Sequence, residues 1–233
     1  MEIQSQKQSE RLGDRRPIAA RNFTLSQKAA NFLASNNITP NGISIFGLIA
    51  GVLSGFCMFY SMRLLDIRPI LLLSAAILIA IRLLCNMFDG MVALIQAKSN
   101  PLGEIYNEVP DRLSDSASLI GLGYIFPGHG HLGLWAALLA MLTAYIRAVG
   151  KSTGAASQYC GPMAKQQRMF LCIATLICTV IAPNFSLNIF QNVDSYQATS
   201  ITEITLWTII IGSAVTCVRR LWRISLILNT SKL

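Results

Sequence analysis

The chain has 233 residues, 53% of them hydrophobic and only 13% charged, with a formal net charge of +8 and a mean hydropathy of +0.50. An ordinary soluble domain carries about 25% charged residues, so a water-soluble globule is excluded and a helical bundle in lipid is implied. A charge of +8 raises nucleic acid as a partner, but the placement of the basic residues along the chain argues against it.

Residues 1–24 form a polar arm carrying Lys7, Arg11, Arg15, Arg16 and Arg21. It has no apolar h-region, so a cleavable secretory signal is not expected. Leu25 to Asn37 is predicted as a short amphipathic helix in the membrane interface, with Leu25, Ala29, Phe32 and Leu33 on one side. Thr39-Pro40-Asn41-Gly42 then breaks it.

Six spans are predicted to follow: Ile43–Met62, Pro69–Phe88, Leu113–Phe126, Leu132–Val149, Met169–Pro183 and Thr205–Leu226. A helix needs about 20 residues to cross ~30 Å of hydrocarbon. The third and fifth stretches are short by this measure and extend into neighbouring polar residues. The predicted fold is all-α: a polytopic bundle of six transmembrane helices behind an interfacial helix. One membrane domain covers residues 25–228, with a tail at 229–233.

Gly47, Gly51 and Gly55 recur every four residues in the first span, a spacing that lets helix backbones approach closely. The six cysteines stand singly, with no C-x-x-C pair. Neither a zinc site nor a disulfide framework is indicated, and the thiols read as small apolar fillers.

Basic residues sort the connections. The N-terminal arm, Lys98 and Arg112, the group Arg147, Lys151, Lys165 and Arg168, and the group Arg219, Arg220, Arg223 and Lys232 fall on one side. The other side holds Arg63 and Arg68 in its first connection, and no Lys or Arg in Pro127–His131 or Asn184–Glu203. The positive-inside rule then places both termini in the cytoplasm. The basic excess faces anionic lipid, which removes the need for nucleic acid.

One polar segment abuts two spans. Asn86 and Asp89 share a helix face at i,i+3 spacing. Asn107, Asp111 and Asp115 recur at i, i+4 and i+8, with Glu104 and Glu108 nearby. An aspartate at the centre of a membrane helix costs about 2.5–3.5 kcal/mol on insertion scales, so these side chains are not padding. Oxygen ligands without His or Cys suit a hard cation, Mg²⁺ or Mn²⁺. Mg²⁺ is usually completed by substrate phosphate, which implies a phosphate donor.

The segment resembles the signature of the CDP-alcohol phosphotransferase family, D-x-x-D-G-x-x-A-R followed, after about eight residues, by G-x-x-x-D-x-x-x-D. Asp89, Gly90, Ala93, Gly103 and Asp111 match with the right gap. Thr39-Pro40-Asn41 also resembles the motif that precedes the family's first span. The resemblance implies a metal-dependent transferase that moves a phosphatidyl group from CDP-diacylglycerol to a small polar alcohol and releases CMP. By this resemblance Asp111 is the catalytic base. Asn86, Asp89, Asn107 and Asp111 hold Mg²⁺ or Mn²⁺, with Glu104 and Asp115 as further candidates. Gly90, Ala93, Gly103 and Asn41 lie against nucleotide or phosphate. Arg147, Lys151 and Arg168 are candidates for holding acceptor or donor phosphate, against plain anchoring at the interface. A homodimer in a bacterial inner membrane is implied as well.

Three positions depart from the pattern: Asn86 and Asn107 stand where it has aspartate, and Leu94 where it has arginine. Neutral amides weaken metal binding unless Glu104, Glu108 or Asp115 compensates. Arg82 is expected to snorkel to the interface; replacing the missing arginine or pairing with Asp89 are the other roles open to it. His129 and His131 are expected in a surface turn. The alternatives are a CDP-amino-alcohol donor with diacylglycerol as acceptor, an altered relative that binds nucleotide or lipid without turnover, and an ion transporter.

Overall fold

The computed structural model describes residues 23–96, 103–182 and 200–230. The described residues form seven α-helices and one 3-10 turn, and no β-strand. The helices are α1 (Thr24–Ser35), α2 (Pro40–Tyr60), α3 (Arg68–Ile95), α4 (Gly103–Gly123), α5 (Gly130–Ser152), α6 (Lys165–Ile181) and α7 (Ile201–Thr230), with the turn at Leu65–Ile67.

The amphipathic pattern at Leu25–Asn37 does fold as a helix, α1. The helix ends at Ser35, and the turn after it passes through Asn37, whose φ of 58° is a left-handed value that asparagine tolerates better than most residues. Its apolar residues divide between two environments. Ala30 packs on Met87 and Met91 of α3, and Leu33 on Ile43, Cys85 and Val92, while Leu25 and Phe32 stay exposed. The Thr39-Pro40 step is a helix start. Thr39 caps α2 by accepting from Gly42 N at 3.2 Å, and Pro40 fills the first turn, where its missing N–H costs nothing.

Four of the six expected spans are long and apolar enough to cross a membrane: those in α2, the stretch Leu65–Ile95, α5 and α7. The other two correspond to α4 and α6. Helix α4 is charged through its first half, and α6 has 17 residues. Pro183, at the expected end of the fifth span, lies outside the described residues, as do most of Asn184–Glu203 and the arm before Phe23.

Helix α2 packs against both α3 and α4, and its glycines explain how. A Cβ on Gly47 would stand 3.0 Å from Cys85 Cβ of α3. One on Gly51 would collide with Ser114 of α4, and one on Gly55 would lie 2.5 Å from the Ala117 carbonyl oxygen. The four-residue glycine repeat is therefore a packing surface. Further contacts join α4 to α5, α5 to α7 and α3 to α6. The apolar core sits among Met58, Leu72, Ile79, Leu122, Met169, Leu176 and Ile209. Within it, Ser54 and Ser118 hydrogen-bond at 2.8 Å, and Thr175 and Thr205 at 2.7 Å.

Helix α3, at 28 residues, is about 42 Å long at 1.5 Å per residue, more than the hydrocarbon needs. Asn86 and Asp89 fall in its last turns. At the opposite end His129 bridges the α4–α5 turn to the start of α7, 3.5 Å from Glu203 Oε2 and 3.4 Å from Ser200 Oγ. The histidine of the expected surface turn is thus tied down, and Ser200 also caps α7 by accepting from Glu203 N.

Candidate active site

The polar residues of α3 and α4 come together at one end of the bundle. Asn86, Asp89 and Gly90 from α3 and Asn107, Glu108, Asp111 and Arg112 from α4 line one side of a cleft of about 190 Å³. The other side is Thr143, Ala144 and Arg147 of α5, Tyr159, Lys165, Gln166 and Arg168 around the start of α6, and Arg220 of α7. Carboxylates and amides thus face a wall rich in cations.

Asp111 is the most heavily engaged of these groups. Arg82 donates to its Oδ1 at 3.0 Å, and Asn86 Nδ2 bridges both oxygens at 3.1 and 2.9 Å. The Lys165 ammonium pairs with Oδ2. Asp89 is buried and accepts from the Ser44 hydroxyl of α2 at 2.8 Å. So many donors around two carboxylates hold them as acceptors in a fixed orientation.

Arg82 does not snorkel. It is 1% exposed, and its ion pairs are with Asp111 and Asp115 rather than Asp89. It donates to Ser114 Oγ at 2.9 Å and to the Asp111 carbonyl at 3.1 Å, and it pairs with Asp115 at 2.6 Å. Asp115 is likewise buried, between Arg82 and Arg168, whose NH2 lies 3.9 Å away. It is not among the residues lining the cleft, which corrects the expectation that it extends the Asn107–Asp111 face. Eight residues turn a helix through 800°, so i+8 lies about 80° round from i.

The other expected site residues divide. Arg147 and Arg168 line the cleft; Lys151 is exposed and does not. Arg147 pairs with Glu108 and lies 5.4 Å from the Tyr159 ring centre. Glu108 also pairs with Arg112 at 2.8 Å, so its carboxylate serves cations of the protein. Gly90 lines the cleft, whereas Ala93, Gly103 and Asn41 do not. The side chain of Glu104 lies outside the described residues.

Several residues of the site had no signal in the local sequence. Thr143, Tyr159 and Arg220 line the cleft from elements remote from the signature segment, and Ser44 reaches Asp89 from α2. Arg220 donates to the Thr143 carbonyl at 2.6 Å and the Cys160 carbonyl at 3.1 Å, which ties α7 to α5 and to the loop before α6. That loop turns through Gly161 at φ 125°, and Met163 N donates to Thr216 Oγ1 at 3.1 Å.

The donor set fits a hard divalent cation. Asp89 and Asp111 supply two carboxylates, and Asn86 and Asn107 line the same cleft, Asn86 with its Nδ2 turned to Asp111. No group of three or more His, Cys, Asp or Glu side chains gathers among the described residues. One or two carboxylates completed by substrate phosphate is the usual arrangement for Mg²⁺, which rarely takes an all-protein cage.

Comparison with known proteins places this geometry. The fold is similar to that of Mycobacterium tuberculosis phosphatidylinositol phosphate synthase. A crystal structure of that protein with CDP-DAG bound superposes with TM-score 0.65 at 19% identity, over 87% of this chain and 94% of that one. A second, in complex with manganese and citrate, gives 0.65 at 19% identity over 85% and 88%. The inner membrane protein YnbA of Escherichia coli K12 is 26% identical over 140 residues, 60% of this chain and 67% of its own length. The model of the CDP-alcohol phosphatidyltransferase family matches residues 37–219, and the chain is a membrane-embedded phosphotransferase belonging to that family.

Proposed function

We propose that the protein transfers a phosphatidyl group from CDP-diacylglycerol to a polar alcohol that itself carries a phosphate, releasing CMP. The observation that carries this reading is the two-sided cleft. Asn86, Asp89, Asn107 and Asp111 converge on one side, and Arg147, Lys165, Arg168 and Arg220 stand opposite. The crystal structures of the mycobacterial synthase, with CDP-DAG and with manganese, support a lipid-nucleotide donor and a divalent cation.

In this reading Asp89 and Asp111, with the amide oxygens of Asn86 and Asn107, would hold Mg²⁺ or Mn²⁺. When bound, the cation neutralises charge building on the transferring phosphoryl group. Ser44 fixes Asp89 from behind. Asp111 takes the proton of the acceptor hydroxyl, a carboxylate within hydrogen-bond reach being a sufficient base. The acceptor oxygen forms its bond to the phosphorus bearing the diacylglycerol. The bond from that phosphorus to the CMP oxygen breaks, and the electron pair leaves with CMP. Guanidinium groups on the opposite wall suit a planar, two-point grip on the acceptor's phosphate. Gly90 lets the donor approach the α3 backbone, with Ala93 of α3, Gly103 of α4 and Asn41 of α2 as outer contacts.

Six helices cross the membrane in this reading, α4 and α6 included. The inner membrane of a bacterium is the setting, supported by the resemblance to YnbA. Both termini face the cytoplasm, α1 lies in the interface, and two copies of the chain associate.

The test is CMP release from CDP-diacylglycerol with Mn²⁺ and a panel of alcohols, half of them phosphorylated. At least one phosphorylated acceptor should release CMP, and Asp111→Asn should abolish release without loss of expression. Release with unphosphorylated alcohols alone would remove the acceptor assignment. One observation favours a second reading, binding without turnover: both Asp111 oxygens are already engaged by Arg82, Asn86 and Lys165. Retained CDP-diacylglycerol with no CMP from any acceptor would select it.

A further inference from the structure

The two cations on Asp111 are not equivalent. Arg82 reaches Oδ1, but it is also tied to Ser114, to Asp115 and to a backbone carbonyl, and it is 1% exposed. It belongs to the wall of the bundle. Lys165 reaches Oδ2 from the other side of the cleft, at the first position of α6. Its side chain, a flexible four-carbon stem, lines the cleft and carries the ammonium, itself buried, onto Asp111.

Helix formation does not explain the lysine. The first turn of α6 carries Lys165 and Arg168 and no acidic residue. A helix N-terminus favours negative charge, so a cation is held there against the helix dipole. What compensates it is the carboxylate across the cleft. A ligand that changes the charge at Asp111, or offers the ammonium another anion, therefore changes where Lys165 sits.

We infer that Lys165 is an exchangeable cation. It covers the Asp111 oxygen that a divalent ion needs, and it leaves that oxygen when a substrate phosphate draws the ammonium into the cleft. The inference rests on the proposed function, in which Asp111 faces both metal and acceptor. Its energetic basis is charge. Asp89 and Asp111 bring two negative charges, Asn86 and Asn107 bring none, and Lys165 adds its positive charge to that of Arg82 on Asp111. Asn86 adds to the effect, because it offers Nδ2 to Asp111 and must turn its amide to present oxygen to a metal. Metal binding to the empty protein is then weak. Phosphate and metal help each other to bind, a coupling that is reciprocal by linkage.

The experiment titrates Mn²⁺ alone into the purified full-length protein in lipid nanodiscs, following free Mn²⁺ by electron paramagnetic resonance. The wild type is compared with Lys165→Met and Lys165→Arg, with no nucleotide present. Lys165→Met should bind Mn²⁺ about tenfold more tightly than wild type, and Lys165→Arg, which keeps the charge, should not. If Lys165→Met fails to fold, Lys165→Gln carries the same comparison. Neutral variants that bind Mn²⁺ no more tightly than wild type, or an arginine variant that gains as much, would overturn the inference. Loss of the gain with intact wild-type CMP release overturns this inference alone. No Mn²⁺ binding by any variant, together with no CMP release, removes the proposed function with it.

Discussion

Arg82 shows how a single residue is read differently by sequence and by structure. At the end of an apolar run, a long cationic side chain is expected to reach outward to headgroups. Here it turns inward because Asp111, Ser114 and Asp115 on α4 give its Nε and one guanidinium nitrogen acceptors, while its other nitrogen, NH1, is buried without a hydrogen-bond partner. A buried pair of this kind contributes little net stability when intact, but removing one partner strands the other. Arg82→Met should therefore destabilise the protein by about 3–5 kcal/mol. The double variant Arg82→Leu with Asp115→Leu should lose less than the single one. Thermal unfolding in detergent checks both; a single variant as stable as wild type would show that the pair is not the anchor described. Asp89 follows the same logic on a smaller scale, since its burial is matched by the Ser44 hydroxyl.

At the scale of elements, α2 is the keel on which the site is assembled. Its capped start brings Ser44 to Asp89, and its glycine face lets α3 and α4 close against it. The glycine repeat was legible in the sequence, because it depends on local spacing, whereas Thr39-Pro40 read as a break and proves to be the capped start of α2. Gly51→Val should force α4 outward, since even a Cβ there collides with Ser114. Overpacking costs about 1–3 kcal/mol, so a lower unfolding temperature is expected, together with reduced CMP release as Asp111 shifts from Asp89. A valine variant that unfolds like wild type would contradict the close packing. Helix α4 marks the limit of such local reading. Its periodicity aligned Asn107 with Asp111 but overran at Asp115, where helical drift carries the side chain out of the cleft and into the Arg82 and Arg168 pair.

Over the whole molecule, chemistry gathers at one end of the bundle and apolar packing fills the rest. If the cleft end faces the cytoplasm, the basic connections around Arg112, Arg147 and Lys165 lie on that side and the His129–Glu203 bridge on the other. Cysteine-accessibility labelling of a protein freed of its native thiols checks this. Single cysteines placed at Ser152 and Thr230 should be shielded from a membrane-impermeant reagent in intact cells, and one at Gly128 should be labelled. The reverse pattern would invert the orientation while leaving the fold untouched.

The sequence by itself determined the membrane class, the succession of helices and the signature segment. Each of these is written in hydropathy, in capping residues or in spacing within one helix, and so survives without knowledge of what packs where. It also pointed to Asp89 and Asp111 as partners, because one short connection joins their helix ends. On the opposite wall Arg147 and Arg168 were already candidates from the sequence, and the rest was decided only by tertiary structure. Lys165, Tyr159 and Arg220 stand far from the signature in sequence, and they meet it through the rotation of α5, α6 and α7 about their own axes. That rotation is set by side-chain packing across helices, which no single helix encodes. The same packing turned Arg82 inward and put a lysine on the carboxylate expected to act as base.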